Sequence, residues 1–200
     1  MKLVKMKRLF SISTIFILLL CLCSCSWTNL FERTYTNVNE YDKYYGTNGE
    51  NKKLYLRYND IFPDSINSNA TVKKCIIKFF YFIDTSYLSY LVIEYSDDDY
   101  MSEINRLKGI NSDENYNIYG ITGFSKDLCA IYANDYGLIY ALSDDASREI
   151  IYVDMQFCNH FTDIDYTKVI NPVNLPVGFS ALIYNPTHLQ YRSEIYSEIW

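Results

Sequence analysis

The sequence predicts an α+β fold: an antiparallel sheet of about five to six strands with one main helix packed on a face, preceded by a helical signal segment. Three observations carry this expectation. Apolar runs rich in β-branched and aromatic residues recur at 73–84, 87–96, 128–133, 138–143 and 148–157. Only one long stretch of the remaining chain, 97–108, has a helical period. The connections between successive runs are short, which forces antiparallel neighbours.

Taken in order, residues 53–59 (KLYLRYN) read as a short strand, followed by a loop through Pro63 and an Asn/Ser cluster. In 73–84, one face carries Cys75, Ile77, Phe79, Tyr81 and Ile83 and the other Ile76, Lys78, Phe80, Phe82 and Asp84. Apolar groups on both faces predict a strand inside the sheet, and 87–96 follows as its hairpin partner. A helix then begins at an N-cap of Ser96 or Asp97. Asp97, Asp98 and Asp99 lie at its positive end, Tyr100, Ile104 and Leu107 on one face, and Gly109 stops it. The runs 128–133 and 138–143 flank Asn134-Asp135-Tyr136-Gly137, a turn with Gly137 placed for positive φ. In 148–157 the alternation predicts Ile151, Val153, Met155 and Phe157 inward and Tyr152, Asp154 and Gln156 outward. A short helical turn is expected at 163–169.

Composition bounds the function. The chain has 200 residues, 49% hydrophobic, with 21 Tyr and a formal net charge of −6. One domain with appendages fits this length. An acidic balance disfavours nucleic acid as a partner, because phosphate contact needs a basic face. Lys2, Lys5, Lys7 and Arg8 precede a twelve-residue apolar stretch, Leu9–Leu20. A basic start and a short apolar run form the pattern of a secretory signal. The run is shorter than a comfortable membrane span of roughly 20 residues.

Leu22-Cys23-Ser24-Cys25 resembles the bacterial lipobox, with an aliphatic residue three before and a small one just before the cysteine. That resemblance implies cleavage before Cys25 and diacylation of its thiol. Two acyl chains are what a stable lipid anchor requires. The expected organisation is therefore a lipoprotein signal peptide at 1–24, a tether at 25–52 with local docking of Tyr41, Tyr44 and Tyr45, and a single α+β domain at 53–200. The expected place is the extracytoplasmic face of the cell membrane. Cys75, Cys129 and Cys158 remain in the processed chain, each in an apolar segment, and are read as reduced, buried thiols.

The densest cluster of chemistry-bearing residues is Cys158-Asn159-His160-Phe161-Thr162-Asp163-Ile164-Asp165. Cys158 and His160 point the same way in an extended segment and could form a nucleophile pair. The bland alternative is a core cysteine, a bonded histidine and an Asp cap, and it carries more weight because catalytic Cys and His usually come from separate elements. No metal-ligand spacing appears there, and helix capping accounts for Asp97–Asp99, so no metal or other cofactor is assigned. Exposed Tyr and Trp suit sugar or protein recognition, which makes Tyr152, with Asp163 and Asp165 nearby in sequence, the candidate binding residues.

The runs LVIEYSDDDYMSEINRLKGI, YGITGFSKDLCAIYANDYGLIYALSDD and IIYVDMQFCNHFTDIDY resemble uncharacterised lipoproteins of Clostridia-type Gram-positive bacteria, over roughly residues 55–185. The resemblance implies localisation and a single domain; it brings neither catalytic residues nor a ligand. The functional expectation is a membrane-tethered, non-catalytic binding or interaction module whose partner is an envelope protein or glycan. The alternative is an envelope hydrolase or thiol enzyme using Cys158 and His160.

Overall fold

The computed structural model of the chain describes residues 31–50, 60–81, 85–112, 119–134, 137–156 and 164–179. Compact units meet at Arg33 and Thr34, and apart from residues 31–33 everything described belongs to the second. The strands are β1 (Glu32–Tyr35), β2 (Thr71–Tyr81), β3 (Thr85–Glu94), β4 (Asp127–Asn134), β5 (Gly137–Asp144) and β6 (Glu149–Gln156). The helices are α1 (Tyr41–Tyr44) and α2 (Asp97–Lys108). The chain thus adopts the expected α+β class, with a six-stranded sheet in the order β1-β2-β3-β6-β5-β4.

β2 and β3 form an antiparallel hairpin, with Tyr81 opposite Thr85 and Thr71 opposite Glu94. α2 then carries the chain to β4 at the far edge, and β4-β5-β6 meander back until β6 lies antiparallel beside β3. α2 forms where its caps agree. Ser96 accepts from the Asp99 amide, and Asp97, Asp98 and Asp99 fill the positive first turn. Its buried stripe is Tyr100, Ile104 and Leu107, as the helical period predicts. Gly109 ends it with φ −79°, an ordinary right-handed value. Arg148, with φ +54°, occupies the left-handed region in the β5–β6 turn. It is held there by its guanidinium, which donates to Asp97 (2.6 Å) and to the Asp145 carbonyl (2.8 Å) and lies over the Tyr100 ring.

The sheet is covered on both faces, which corrects the expected alternation of β6. Tyr152, Asp154 and Gln156 do face away from Ile151, Val153 and Met155, but all six are buried. The first face packs under α1, α2 and the loop at 60–62; the second packs under 119–124 and 164–179. Much of the first cover comes from the stretch read as a tether. Tyr41, Tyr44 and Tyr45 dock as expected, but into the main core, at 1%, 3% and 0% exposure. Tyr45 stacks between Tyr41 (5.5 Å) and Phe62 (4.2 Å), and the Tyr41 hydroxyl donates to the Pro63 carbonyl at 2.6 Å. That stretch also supplies edge strand β1, whereas the strand expected at 53–59 lies outside the described residues.

Gly137 corrects another expectation. Among the described glycines, positive φ occurs at Gly120 and Gly178, not at Gly137. What Gly137 satisfies is close approach: a Cβ there would strike the Met155 carbonyl and lie 2.8 Å from the Gln156 Cα. Backbone cannot yield as a side-chain tip can, so we expect Gly137→Ala to cost about 1–3 kcal/mol, the usual range for overpacking. Urea unfolding of the variant against the parent chain checks this; an unchanged midpoint would show that the strands can part without penalty.

Candidate functional site

Among the described residues, an accessible concavity lies at the second face of the sheet. It is a cleft of about 530 Å³ lined by residues of β2, β3, the entry to β4, the start of β6 and the 167–174 segment. β2 contributes Lys73 and Lys74. Consecutive strand residues ordinarily face opposite ways. Here the pairing register jumps from Val72–Ile93 to Lys74–Val92, so Lys73 is the extra residue of a bulge and both lysines reach the cleft. β3 provides Tyr90 and Val92, and Lys126 enters from just before β4.

The 164–179 segment forms the opposite wall through two 3₁₀ turns, Tyr166–Lys168 and Pro172–Asn174. The first is fixed by Asp165, which accepts from the Thr167 hydroxyl at 2.6 Å and pairs with Lys168 at 3.0 Å. The Thr167 hydrogen bond and Lys168 hold its carboxyl below the usual carboxylate range. The second starts with Asn171 accepting from the Val173 amide, with Pro172 placed where no amide is needed. Two sheet tyrosines fasten this wall. The Tyr140 hydroxyl donates to the Asn174 carbonyl, and the Asn174 side-chain amide donates to the Tyr90 hydroxyl, both at 2.8 Å. Asn174 Oδ1 is buried without a hydrogen-bond partner.

The electrostatics of the cleft are distinctive in an acidic chain. Four of the seven described lysines line it: Lys73, Lys74, Lys126 and Lys168, against one carboxylate, Glu149. Lys73 pairs with Glu94, Lys126 with Asp144 and Lys168 with Asp165. None of these three acids is itself a lining residue. Lys74 alone of the four has no ion pair among the described residues. The Lys126 ammonium also holds the Asp144 carboxyl below its ordinary range.

A second polar centre lies sealed under the first face. Asp154, 1% exposed, accepts from the Tyr87 hydroxyl (2.8 Å), the Tyr45 hydroxyl (3.1 Å) and the Gln156 amide (3.0 Å). Ser89 stands opposite it in the register, with a buried hydroxyl that has no partner. Burial pushes the Asp154 pKa up to about 7, and the three donors offset only part of that rise. Nearby, Glu103 receives Tyr152 (2.6 Å) and both forks of Arg106 (2.7 and 2.6 Å). Arg106 also donates to the Asp60 and Ile61 carbonyls, which holds the covering loop down.

The residues singled out from sequence fall differently. Tyr152 is fully buried, bonded to Glu103 and Tyr95, and presents nothing to a surface ligand. Asp165 borders the cleft and positions Lys168 and Thr167. Cys25, Cys158, His160 and Asp163 lie outside the described residues. Asp97–Asp99 cap α2, and among the described residues no group of three His, Cys, Asp or Glu side chains could hold a metal ion. Sequence reading missed the lysine cleft. Its signals were the Lys73-Lys74 doublet at a strand start and the Asn171-Pro172 turn, but nothing in the sequence joins these with Lys126 and Lys168.

Asp154 makes stability pH-dependent. The folded group keeps its proton up to about pH 7, whereas an unfolded aspartate releases it near ~3.9. Between those values the native state binds the extra proton, so stability falls as pH rises. The full window corresponds to about 4 kcal/mol. Urea midpoints should fall from pH 5 to pH 8, and Asp154→Asn should flatten that slope; an equal slope in the variant would contradict this assignment.

Cys75 and Cys129 are free, 8% and 7% exposed, and burial raises both thiol pKa values. Thiolate is the reactive form. Alkylation of both should be slow in native protein and immediate in denaturant, as mass spectrometry of labelled peptides would show; fast native labelling of either would place it outside the core. Comparison of the chain with protein-family models, with curated proteins and with solved structures returned no match.

Proposed function

We propose that this chain is a membrane-anchored, extracytoplasmic, non-catalytic binding module, held by acyl groups on Cys25, and that its ligand sits in the lysine-lined cleft. The observation that supports this reading is the cleft itself: preformed walls, mixed polar and apolar lining, and a size in the range of small-molecule sites. Among the described carboxylates the one most displaced from its ordinary pKa, Asp154, is sealed under the other face, away from the cleft. The lining side chains offer charge and hydrogen bonds for holding a ligand. The anchor rests on the basic start, the short apolar run and Leu22-Cys23-Ser24-Cys25. No helix among the described residues is long and apolar enough to cross a membrane.

Two measurements test the proposal. Cys25→Ala should abolish incorporation of labelled fatty acid and shift the protein out of the membrane fraction; a variant that remains lipidated overturns the anchor. A panel of cationic, neutral and anionic small molecules, followed by thermal shift on the full chain in detergent, should reveal a saturating ligand recovered unchanged. Val173→Trp should weaken its binding by obstructing the exposed lip of the cleft. Consumption of the ligand in proportion to protein would replace binding with catalysis.

A further inference from the structure

We infer that residues 36–50 form a proton-controlled lid on the first face of the sheet: they lie over Asp154 while its carboxyl is protonated and lift, with the sheet intact, when it ionises. The device is independent of the cleft on the second face.

Neutral groups surround the carboxyl. Tyr45 of the lid and Tyr87 of β3 donate to one oxygen, and the Gln156 amide of β6 donates to the other. The same row of the sheet brings Ile77, Ser89 and Ile139. Tyr41 and Tyr44 of the lid, Tyr100 of α2, Tyr152 of β6, Cys75 of β2, Cys129 of β4 and Tyr95 just before α2 are packed into this face. Burial raises the pKa of each, so they stay neutral near pH 7. α2 sends two charges to this face, Glu103 and Arg106, and they bond each other. Of the charges on the covering segments, Glu40 is half-buried and Asp42, Lys43, Glu50 and Asp60 are exposed. Among the described residues no ion pair includes Asp154. A buried carboxyl with neutral donors and no bound cation is held toward its protonated form.

The lid can move by itself because side chains tie it to the rest of the fold. Tyr41 donates to the Pro63 carbonyl, Tyr44 packs on Phe79 at 5.1 Å, and Tyr45 stacks on Phe62 while reaching Asp154. The amides of Glu40, Tyr45, Gly46 and Gly49 bond to carbonyls within the lid. The ladder from β2 through β3 and β6 to β5 and β4 does not run through it. α1 is a single turn, too short to persist without packing. The 60–62 loop keeps its own hold on Arg106. Lifting the lid removes the Tyr45 hydroxyl, admits water to Asp154 and uncovers the Phe62 and Phe79 rings.

The closed form keeps the Asp154 proton up to about pH 7, whereas a hydrated aspartate releases it near ~3.9. Between those values the closed form binds the extra proton. Rising pH therefore favours opening, and the effect levels off once the closed form has also ionised.

Hydrogen exchange of the full chain in detergent, read by mass spectrometry at pH 5, 6, 7 and 8 and divided by the intrinsic rate at each pH, tests the inference. Peptides covering 36–50 should be less protected than those of β5 and β6. Their protection should fall about fiftyfold from pH 5 to pH 7 and only about twofold from pH 7 to pH 8. Asp154→Asn should abolish that fall. Tyr45→Phe, which takes one donor from the charged form, should carry the fall beyond pH 7. Equal protection of the lid and of β5 and β6 at every pH would show that opening is global and overturn the lid. A weakly protected lid whose protection ignores pH in the parent chain, or falls equally in Asp154→Asn, would overturn control by Asp154.

Discussion

The carboxylate of Asp154 sits in the middle of a buried sheet face. A charge there is several kcal/mol too costly unless it is neutralised or surrounded by donors. The donors come from three places: Gln156 on the same strand, Tyr87 on the neighbouring strand, and Tyr45 just beyond α1. Tyr45 is the one that organises the cover. To bring its hydroxyl to Asp154, the 34–50 stretch must lie down on the sheet, and in doing so it buries Tyr41 and Tyr44 as well. The aromatic stack Tyr41–Tyr45–Phe62 then draws in the 60–62 loop.

That loop is secured from the other side by Arg106. Its guanidinium holds Glu103 with both forks and the Asp60 and Ile61 carbonyls with what remains. Glu103 in turn takes the Tyr152 hydroxyl. A helix, a loop and a central strand thus meet on a single ion pair. Because Glu103 is well covered, this pair is not a surface bridge of negligible worth; removing one partner would strand the other in a desolvated place. The tyrosine richness of the chain acquires a structural reason here. Tyr45, Tyr87, Tyr95 and Tyr152 each pair apolar bulk with a hydroxyl that meets a buried polar group.

The two faces of the sheet divide their tasks. The first is aromatic and closed by α1, α2 and the 60–62 loop. The second is closed over most of its area by 119–124 and 164–179, which join through Thr122, Gly123 and Val177. Toward Lys73, Lys74 and Lys126 that cover parts from the sheet and leaves the cleft. The 164–179 wall has little regular structure of its own. Tyr90 and Tyr140 give it definition by reaching from the sheet to Asn174, so the shape of the cleft depends on the same strands that carry the core.

Local pattern was enough for the elements whose character is one-dimensional. The caps and stripe of α2, the β2–β3 hairpin and the β4-β5-β6 meander all follow from periodicity, turn residues and charge placement within short windows. The alternation along β6 was also readable, but not its consequence. Period two tells which residues share a face and is silent on whether the other face meets water, so Asp154 and Tyr152 read as outward when the far cover was unknown. The 34–50 stretch has no apolar period to reveal that it docks, because its contribution comes from three tyrosines gripping particular partners. Gly137 was marked as special from its turn position, although steric approach of Met155, set by strand pairing, is what requires it. The cleft lay furthest from the sequence. Lys74 and Lys126 are separated by a helix and a hairpin, and Lys168 by three more strands. Only the antiparallel return of β6 beside β3, and the wall tied down by Tyr90 and Tyr140, bring those charges around one space.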